Sequence, residues 1–537
     1  MTVRVSVSTP RRCDALRRWS AAVTVVALVS GISACQAADP HPQATATGTG
    51  ATSQGNTNQG ANAEHTPAIP EGFEKFYTQP VTWHDCQDVS DADEFECATL
   101  AIPQSWSNAA AGEAELAIIR KPAAGTAQGS LLVNPGGPGA SGVDYLPAAW
   151  STYGKKLVES FDLVSFDPRG VQRSTPVKCM DDEGKDAYLA ASYPSTPQGI
   201  QQAADQAKAW AEACAENTGP FLGEVDTQSA ARDMDMMRAA LGDSTLHYLG
   251  FSYGTQLGAA YAGIFPDNVG NMVLDGAIDI TLTADETSAQ QAAGFEQALR
   301  AYVADCQGGT RCPLTGSVDD GLATIKTILD RALNQPIPTS SGRELTQTLA
   351  FYGIAVTLYD ERSWQFLTQG LSEVITAGTG DTLLFLADFY NDRNEDGTFS
   401  TNSTEAFTAV GCLDARGTTD LAQMEKDAAE IMKSAPTMGG FFGYGGLSCQ
   451  DWKYPVAAVD YDISAPGAVP IVVVGTTGDP ATPYRWAEAL ASTLQSGTLL
   501  TFTGEGHTAY GRSNECIMDA VDGFLVDGTV PAAGTKC

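Results

Sequence analysis

Short runs of consecutive apolar residues alternate with longer segments of helical periodicity along most of the chain. The runs predict strands at 114–120, 130–134, 162–166, 246–250, 272–275, 471–475 and 499–503. Residues 226–241 have helical spacing, with Asp226 or Thr227 as the predicted N-cap and Gly242 at the end. Strands that alternate with helices are typical of an α/β domain with a mostly parallel sheet, and runs such as 471–474 suit strands covered on both faces.

The alternation stops between about residues 280 and 455. Apolar residues recur there at helical spacing, for example at Leu322, Ile325, Leu329 and Leu333, and there is little strand signal. Because strands resume at 471, we expect a helical cap, residues 281–455, inserted into one core formed by 73–280 and 456–537. A separate helical domain is the alternative.

The N-terminal segment has the pattern of an export signal. Five arginines precede the short apolar run 21–29, and small residues follow it up to Cys35. The run is too short for a spanning helix. The end of this segment resembles a bacterial lipobox, which implies a signal peptide at 1–34, cleavage before Cys35 and lipidation of its thiol. The alternative is an ordinary signal peptide with Cys35 incidental. Residues 35–72 contain almost nothing apolar beyond alanine and predict a flexible tether, so we expect the protein outside the cytoplasm, on the membrane through Cys35 only or secreted.

The net charge argues against one class of function, and the cysteine count predicts disulfides. The formal net charge is −33, and removal of residues 1–34, with five arginines and one aspartate, takes it to about −37. Such a chain cannot neutralise phosphates, which argues against nucleic-acid binding. Ten cysteines remain after Cys13 and Cys35, and in an oxidising compartment an even number indicates up to five disulfides. Proximity in sequence favours Cys86–Cys97, Cys179–Cys214, Cys306–Cys312, Cys412–Cys449 and Cys516–Cys537.

Residues 250–254 read G-F-S-Y-G, with Ser252 between two glycines. A predicted strand precedes this frame and a helical pattern follows it. A strand–turn–helix corner of this kind exposes a nucleophilic serine above a sheet, and only small neighbours fit the strained turn. A plain tight turn is the alternative.

A serine hydroxyl needs a base, and the chain has five histidines: His41, His65, His84, His247 and His507. The first two lie in the tether, the third precedes the core, and the fourth lies in the strand under the corner. His507 follows the last predicted strand in a loop, which makes it the predicted base, with a surface histidine as the alternative.

Asp479 follows the penultimate strand, as the order serine, acid, histidine requires. We expect it to orient His507. The alternative is that Asp479 only starts the next helix. Thr482 and Pro483 already suit that helix as N-cap and first residue, which leaves Asp479 for catalysis.

A strand that ends in a glycine loop, 131–142 (LLVNPGGPGASG), can supply backbone donors to an oxyanion. We expect the amides of Gly137 and Tyr253 to form this hole. A phosphate-binding loop is excluded, because neither Gly-Lys-Ser/Thr nor G-x-G-x-x-G at a helix start is present.

Six motifs occur in one order: NPGGPG, FDPRGVQRS, AARDMDMMRAALG, GFSYGT, GDPATP and GHT. Over roughly residues 75–537 the chain resembles α/β-hydrolase serine peptidases of the proline iminopeptidase and secreted tripeptidyl aminopeptidase group, including exported actinobacterial forms. The resemblance implies an α/β-hydrolase core with an inserted cap, no cofactor, and release of short peptides from peptide or protein substrates with a free N-terminus. Asn134-Pro135 stands where many members have His-Gly, and Val171-Gln172 replaces a glycine-rich stretch.

An aminopeptidase needs a carboxylate to hold the substrate's ammonium group. Asp414 lies in a segment that resembles a recurring part of the family, and we expect it to be this anchor; holding the chain near a disulfide is the alternative. Residues 392–397 imitate the start of a calcium loop, but Ser403 stands where the bidentate Glu belongs, so we expect a plain turn and no metal. Two other functions stay open: an esterase or lipase with the same triad, and a non-catalytic peptide-binding lipoprotein.

Overall fold

The computed structural model describes residues 68–537, and its centre is one nine-stranded sheet. The strands are β1 (His84–Asp85), β2 (Glu96–Pro103), β3 (Glu113–Lys121), β4 (Ser130–Asn134), β5 (Asp162–Phe166), β6 (Leu246–Phe251), β7 (Val269–Asp275), β8 (Ile471–Gly478) and β9 (Gly497–Glu505). Their order is β1-β2-β3-β5-β4-β6-β7-β8-β9. The first three are antiparallel to their neighbours, and the six from β5 to β9 in this order are parallel.

Seventeen α-helices accompany the sheet within the described residues. Those before β8 in the core are α1 (Glu74–Tyr77), α2 (Gly142–Ala149), α3 (Lys155–Ser160), α4 (Asp182–Ala190), α5 (Pro197–Thr218), α6 (Thr227–Leu241) and α7 (Tyr253–Ile264). Between β7 and β8 lie α8 (Ala284–Gly308), α9 (Val318–Asn334), α10 (Gln347–Leu358), α11 (Trp364–Thr376), α12 (Asp381–Tyr390), α13 (Ser403–Asp414), α14 (Leu421–Ser434) and α15 (Leu447–Gln450). The last two are α16 (Tyr484–Thr493) and α17 (Glu515–Asp527).

All seven predicted strands are present, and the predicted mostly parallel α/β fold is confirmed. The helix predicted at 226–241 is α6, in which the Asp226 side chain accepts from the backbone of Ser229 and Gly242 ends the helix in the left-handed conformation. The sequence prediction missed β1 and β2. β1 has two residues only, and Thr99 interrupts the apolar residues of β2, so neither strand is a continuous apolar run.

Alternate residues of the central strands belong to two apolar clusters, one on each face of the sheet. Leu132 and Val473 lie in one cluster, whereas Leu131, Val133 and Val472 lie in the other. Burial on both faces explains why these strands consist of continuous apolar runs.

We call the eight helices α8–α15, Ala284–Gln450, the cap. They have an apolar cluster of their own, which includes Leu322, Ile325 and Leu329, three of the residues whose spacing predicted a helix. Two isolated bridges, Ile337↔Leu345 and Arg393↔Phe399, are the strand-like pairings found in this part of the described chain. The domain bounds proposed from the sequence stay a prediction.

Five disulfides join all ten cysteines of the described residues. They are Cys86–Cys97, Cys179–Cys214, Cys306–Cys312, Cys412–Cys449 and Cys516–Cys537. The predicted pairing is confirmed at each of them. The predicted signal peptide, Cys35 and most of the tether lie outside the described residues. Within residues 68–537 we find no helix that is both long and apolar enough to cross a membrane.

Candidate active site

Ser252 occupies the corner between β6 and α7. Its backbone has φ 55° and ψ −123°, a conformation that is strained for a residue with a side chain. The neighbouring glycines are required by space, because a Cβ at Gly250 would lie 2.4 Å from the Tyr248 ring and 2.5 Å from the Gly254 carbonyl oxygen. Strain and crowding together are typical of a turn that presents a serine hydroxyl above the sheet.

His507 and Asp479 form a buried pair at the ends of β9 and β8. The Nδ1 atom of His507 lies 2.9 Å from each carboxylate oxygen of Asp479. Nδ1 therefore carries the proton that the carboxylate accepts, and Nε2 is left with its lone pair. His507 Nε2 is buried and has no hydrogen-bond partner among the described residues.

The Asp479 carboxylate also organises its own loop. Oδ1 accepts from the backbone amides of Ala481 and Thr482, and Oδ2 accepts from the Thr482 hydroxyl at 2.9 Å. The same hydroxyl lies 3.3 Å from His507 Nδ1. The prediction that Thr482 is an N-cap is wrong: α16 begins at Tyr484 with Pro483 as its N-cap, and the Thr482 hydroxyl donates to Asp479.

Asp275, which the sequence prediction missed, links the turn that carries Ser252 (the serine corner) to residues 506–514 between β9 and α17, which contain His507 (the histidine loop). Its backbone carbonyl accepts from the Ser252 amide at 2.9 Å. Its carboxylate accepts from the amides of Ala509 and Tyr510, the second at 2.7 Å. The side chain is fully buried, and this burial raises its pKa to about 6. An aspartate at the end of a buried strand, directly followed by a glycine, was the available signal.

The glycine loop after β4 lies against the serine corner. A Cβ at Gly136 would lie 2.4 Å from the Phe251 carbonyl oxygen and 2.9 Å from the Ser252 Cβ. The Gly136 amide donates to the Asn134 side chain, so it is occupied. The amides of Gly137 and Tyr253, the two predicted oxyanion donors, have no acceptor among the described residues.

The cap reaches the histidine through Tyr359. The Tyr359 carbonyl accepts from the His507 amide at 2.8 Å, and the two rings meet edge to face at 5.3 Å. A Cβ at Gly506 would lie 2.7 Å from that carbonyl oxygen, which explains the glycine before His507. The histidine loop is thus held from the core by Asp275 and from the cap by Tyr359.

Asp414 forms no hydrogen bond or ion pair with Ser252, Asp479 or His507. Its carboxylate accepts from the Thr227 amide at 2.9 Å, from the Thr227 hydroxyl at 2.5 Å and from the Gln256 side chain at 3.1 Å. Burial raises its pKa to about 7. These contacts agree with the alternative role, holding the chain beside the Cys412–Cys449 disulfide, and the role of ammonium anchor stays a prediction.

The segment that imitates a calcium loop is a turn. Asp396 accepts from the backbone and hydroxyl of Thr398, and Asp392 accepts from the hydroxyls of Thr401 and Ser403. Within residues 68–537 no group of three or more His, Cys, Asp or Glu is arranged to hold a metal ion.

The chain is similar to several known proteins. A family model described as "TAP-like protein" matches residues 435–537. Serine protease Hip1 of Mycobacterium tuberculosis is 38% identical over 476 residues, which cover 86% of this chain and 91% of that protein. Carboxylesterase B of the same organism is 37% identical over 473 residues, covering 85% and 89%. Tripeptidyl aminopeptidase of Streptomyces lividans is 28% identical over 479 residues, covering 85% and 86%.

The Hip1 match extends over most of both proteins, 86% of this chain and 91% of the other. Together with the parallel sheet and the strained serine corner, it confirms the resemblance found in the sequence motifs. The chain belongs to the α/β-hydrolase family of serine peptidases that includes serine protease Hip1 and the tripeptidyl aminopeptidases.

Proposed function

We propose that this protein is an exported serine exopeptidase that releases short peptides from free N-termini, with Ser252 as nucleophile, His507 as base and Asp479 as the acid that orients the base. The observation that carries the proposal is the buried His507 ring, whose Nδ1 is bound by Asp479 while Nε2 has no hydrogen-bond partner within residues 68–537. An imidazole fixed in this tautomer is ready to accept a proton.

The reaction follows from these roles. Ser252 Oγ attacks the scissile carbonyl carbon while its proton passes to His507 Nε2. The developing oxyanion accepts from the Gly137 and Tyr253 amides, and the resulting imidazolium is stabilised by Asp479. Collapse of the intermediate breaks the C–N bond, and the leaving amine takes the proton from Nε2. Water then attacks the acyl-enzyme through the same base and releases the peptide. Each step is acyl transfer by side chains and needs no cofactor.

Two features support an aminopeptidase. Relatives at 38% and 28% identity carry the names serine protease and tripeptidyl aminopeptidase. The net charge of −33 attracts a cationic group such as a free amine. We do not extend the proposal to Asp414 as the ammonium anchor, because three donors of the protein already engage its carboxylate.

A serine esterase is the second candidate, and one observation favours it: a relative that is 37% identical is named carboxylesterase. The triad fixes acyl transfer and not the acyl group. A non-catalytic peptide-binding lipoprotein is the third possibility from the sequence, and the intact serine corner, base and acid oppose it. The lipid anchor at Cys35 remains part of the proposal, since it lies outside the described residues.

The test is the hydrolysis of one tripeptide anilide, free and N-acetylated, by the mature protein and by Ser252→Ala. We expect cleavage of the free form only, and its loss in the variant. Ser513→Ala is the matched control, because the buried Ser513 hydroxyl has no hydrogen-bond partner in the described part of the chain and its removal should leave the rate unchanged. Equal cleavage of the free and the acetylated substrate would overturn the exopeptidase proposal, and cleavage of short acyl esters alone would establish the esterase.

A further inference from the structure

A directed chain of hydrogen bonds joins the cap to the residue that follows the nucleophile. The Tyr253 and Thr227 hydroxyl oxygens are 2.5 Å apart, and Thr227 Oγ1 lies 2.5 Å from Asp414 Oδ2. A threonine hydroxyl has one proton, and a carboxylate can only accept. When Asp414 is ionised, Thr227 therefore donates to it, and Tyr253 donates to Thr227.

Asp414 lies at the C-terminal end of α13, and all its donors belong to the core. Thr227 is the first residue of α6, and its amide also donates to the carboxylate. Gln256, in the first turn of α7, is the third donor. Among the described residues no Lys, Arg or His forms an ion pair with this carboxylate. Asp414 thus ties one end of α13 to the helices α6 and α7.

The other end of α13 lies on the glycine loop. A Cβ at Gly139 would lie 2.8 Å from the Ser403 carbonyl oxygen and 3.0 Å from the Ala406 Cβ. Ser403 and Ala406 belong to the first turn of α13. The helix α13 therefore contacts both parts of the predicted oxyanion hole. Its first turn contacts the loop that contains Gly137. Its last residue, Asp414, contacts α7, the helix that begins at Tyr253.

We propose that α13 holds the two parts of the oxyanion hole in position, and we call this helix the brace. In this proposal Asp414 is a positioning residue, which acts through Thr227 on Tyr253 and does not bind substrate. This inference rests on the proposed function only in taking the Tyr253 amide as an oxyanion donor. Backbone donors stabilise the transition state only when they are fixed within a fraction of an ångström. A Tyr253 side chain held by Thr227 fixes the first residue of α7 and, with it, the direction of the amide.

The variants are Asp414→Asn, Thr227→Val and their combination, assayed with the free tripeptide anilide and with p-nitrophenyl acetate, an ester that has no amine. We expect each single variant to lower kcat on both substrates by about ten-fold, with KM changed less than two-fold. The double variant should fall no further than the single ones, because both remove the same chain. Thr227→Ser keeps the hydroxyl and should retain the wild-type rate.

Asp420→Asn is the matched control, because Asp420 caps α14 through the Ala422 amide and lies outside this chain of contacts. Its rates should not change. A rise of KM for the anilide alone in Asp414→Asn would assign the carboxylate to substrate ammonium and overturn the brace. An unchanged kcat in Thr227→Val would overturn it as well. If the wild-type protein cleaves the ester and not the anilide, the exopeptidase proposal fails while the ester assay still tests the brace.

Discussion

Replacing Asp275 by asparagine should separate the stability of the fold from the geometry of the active site. The buried carboxylate holds the Ala509 and Tyr510 amides, and its pKa is raised from an ordinary 3.8 to about 6 because burial disfavours its charge. A raised pKa means that the folded state binds the proton more tightly than the unfolded chain. Asp275 therefore contributes stability that is fully present below about pH 4 and is lost as the pH rises through about 6.

The size of this contribution follows from the shift. Two pH units correspond to about 3 kcal/mol, at about 1.4 kcal/mol per unit. Asparagine cannot ionise, so the free energy of unfolding of Asp275→Asn, relative to the wild type, should rise by about 3 kcal/mol between pH 4 and pH 7. The activity should change in the opposite direction, because asparagine offers one acceptor oxygen where the carboxylate uses two, and kcat at pH 7 should fall about ten-fold or more.

The assay is urea unfolding of both proteins at pH 4, 5, 6 and 7, with kcat for the substrate that the wild type cleaves. Asp267→Asn, in an exposed position just before the same strand, is the control and should leave kcat and the unfolding free energy close to those of the wild type. A difference in unfolding free energy that stays constant from pH 4 to pH 7 would refute the argument from burial. Unchanged kcat would show that the histidine loop does not depend on these two hydrogen bonds.

Three further predictions concern the site and the core. Gly136→Ala should lower kcat at least a hundred-fold, because the added Cβ would collide with the turn that carries Ser252. Gly242→Ala is the control, because Gly242 also has a positive φ but lies in open space; it should keep full activity and lose only about 1–2 kcal/mol of unfolding free energy. Thr482→Val should lower kcat about ten-fold with KM unchanged, while Thr482→Ser keeps the hydroxyl on Asp479 and stays close to wild type in the same steady-state assay. Arg169→Met leaves the fully buried Asp233 without its cation and should lower the free energy of unfolding, measured in urea, by about 3–5 kcal/mol. Arg232→Met is the control: its ion pair with Asp460 lies at the surface, so the loss should be less than about 1 kcal/mol.

The parallel strands could be predicted because they follow from a local pattern, and the candidate site residues were chosen from where these strands end. A strand buried on both faces is a continuous apolar run, and such runs marked β4–β9. The serine corner has its own frame of glycines, and chain order selects Asp479 and His507 among the acids and histidines. Proximity in sequence was enough for the disulfides, since none spans more than 37 positions.

Hydrogen bonds between segments that are far apart in the chain could not be predicted from the sequence. The partners of the Asp275 carboxylate lie 234 and 235 positions away, and Thr227 lies 187 positions from Asp414, so no spacing rule connects them. Thr482 was misjudged for a different reason. Thr-Pro before a helix suits an N-cap, but the hydroxyl has one proton to donate, and a buried carboxylate three residues earlier binds it more strongly than a neutral acceptor would.

The contacts of the cap bear on how substrate choice and catalysis are connected. A triad built only from core residues would work equally well under any cap, and substrate choice could change without effect on kcat. Here the cap holds the His507 amide through the Tyr359 carbonyl and rests on the glycine loop through α13. A change in the cap that alters the space for the substrate therefore also moves groups next to the proposed base and next to the proposed oxyanion donors. Because relatives of similar identity carry the names of a protease and an esterase, the difference between such activities should be sought in these cap contacts and not in the triad that both reactions use.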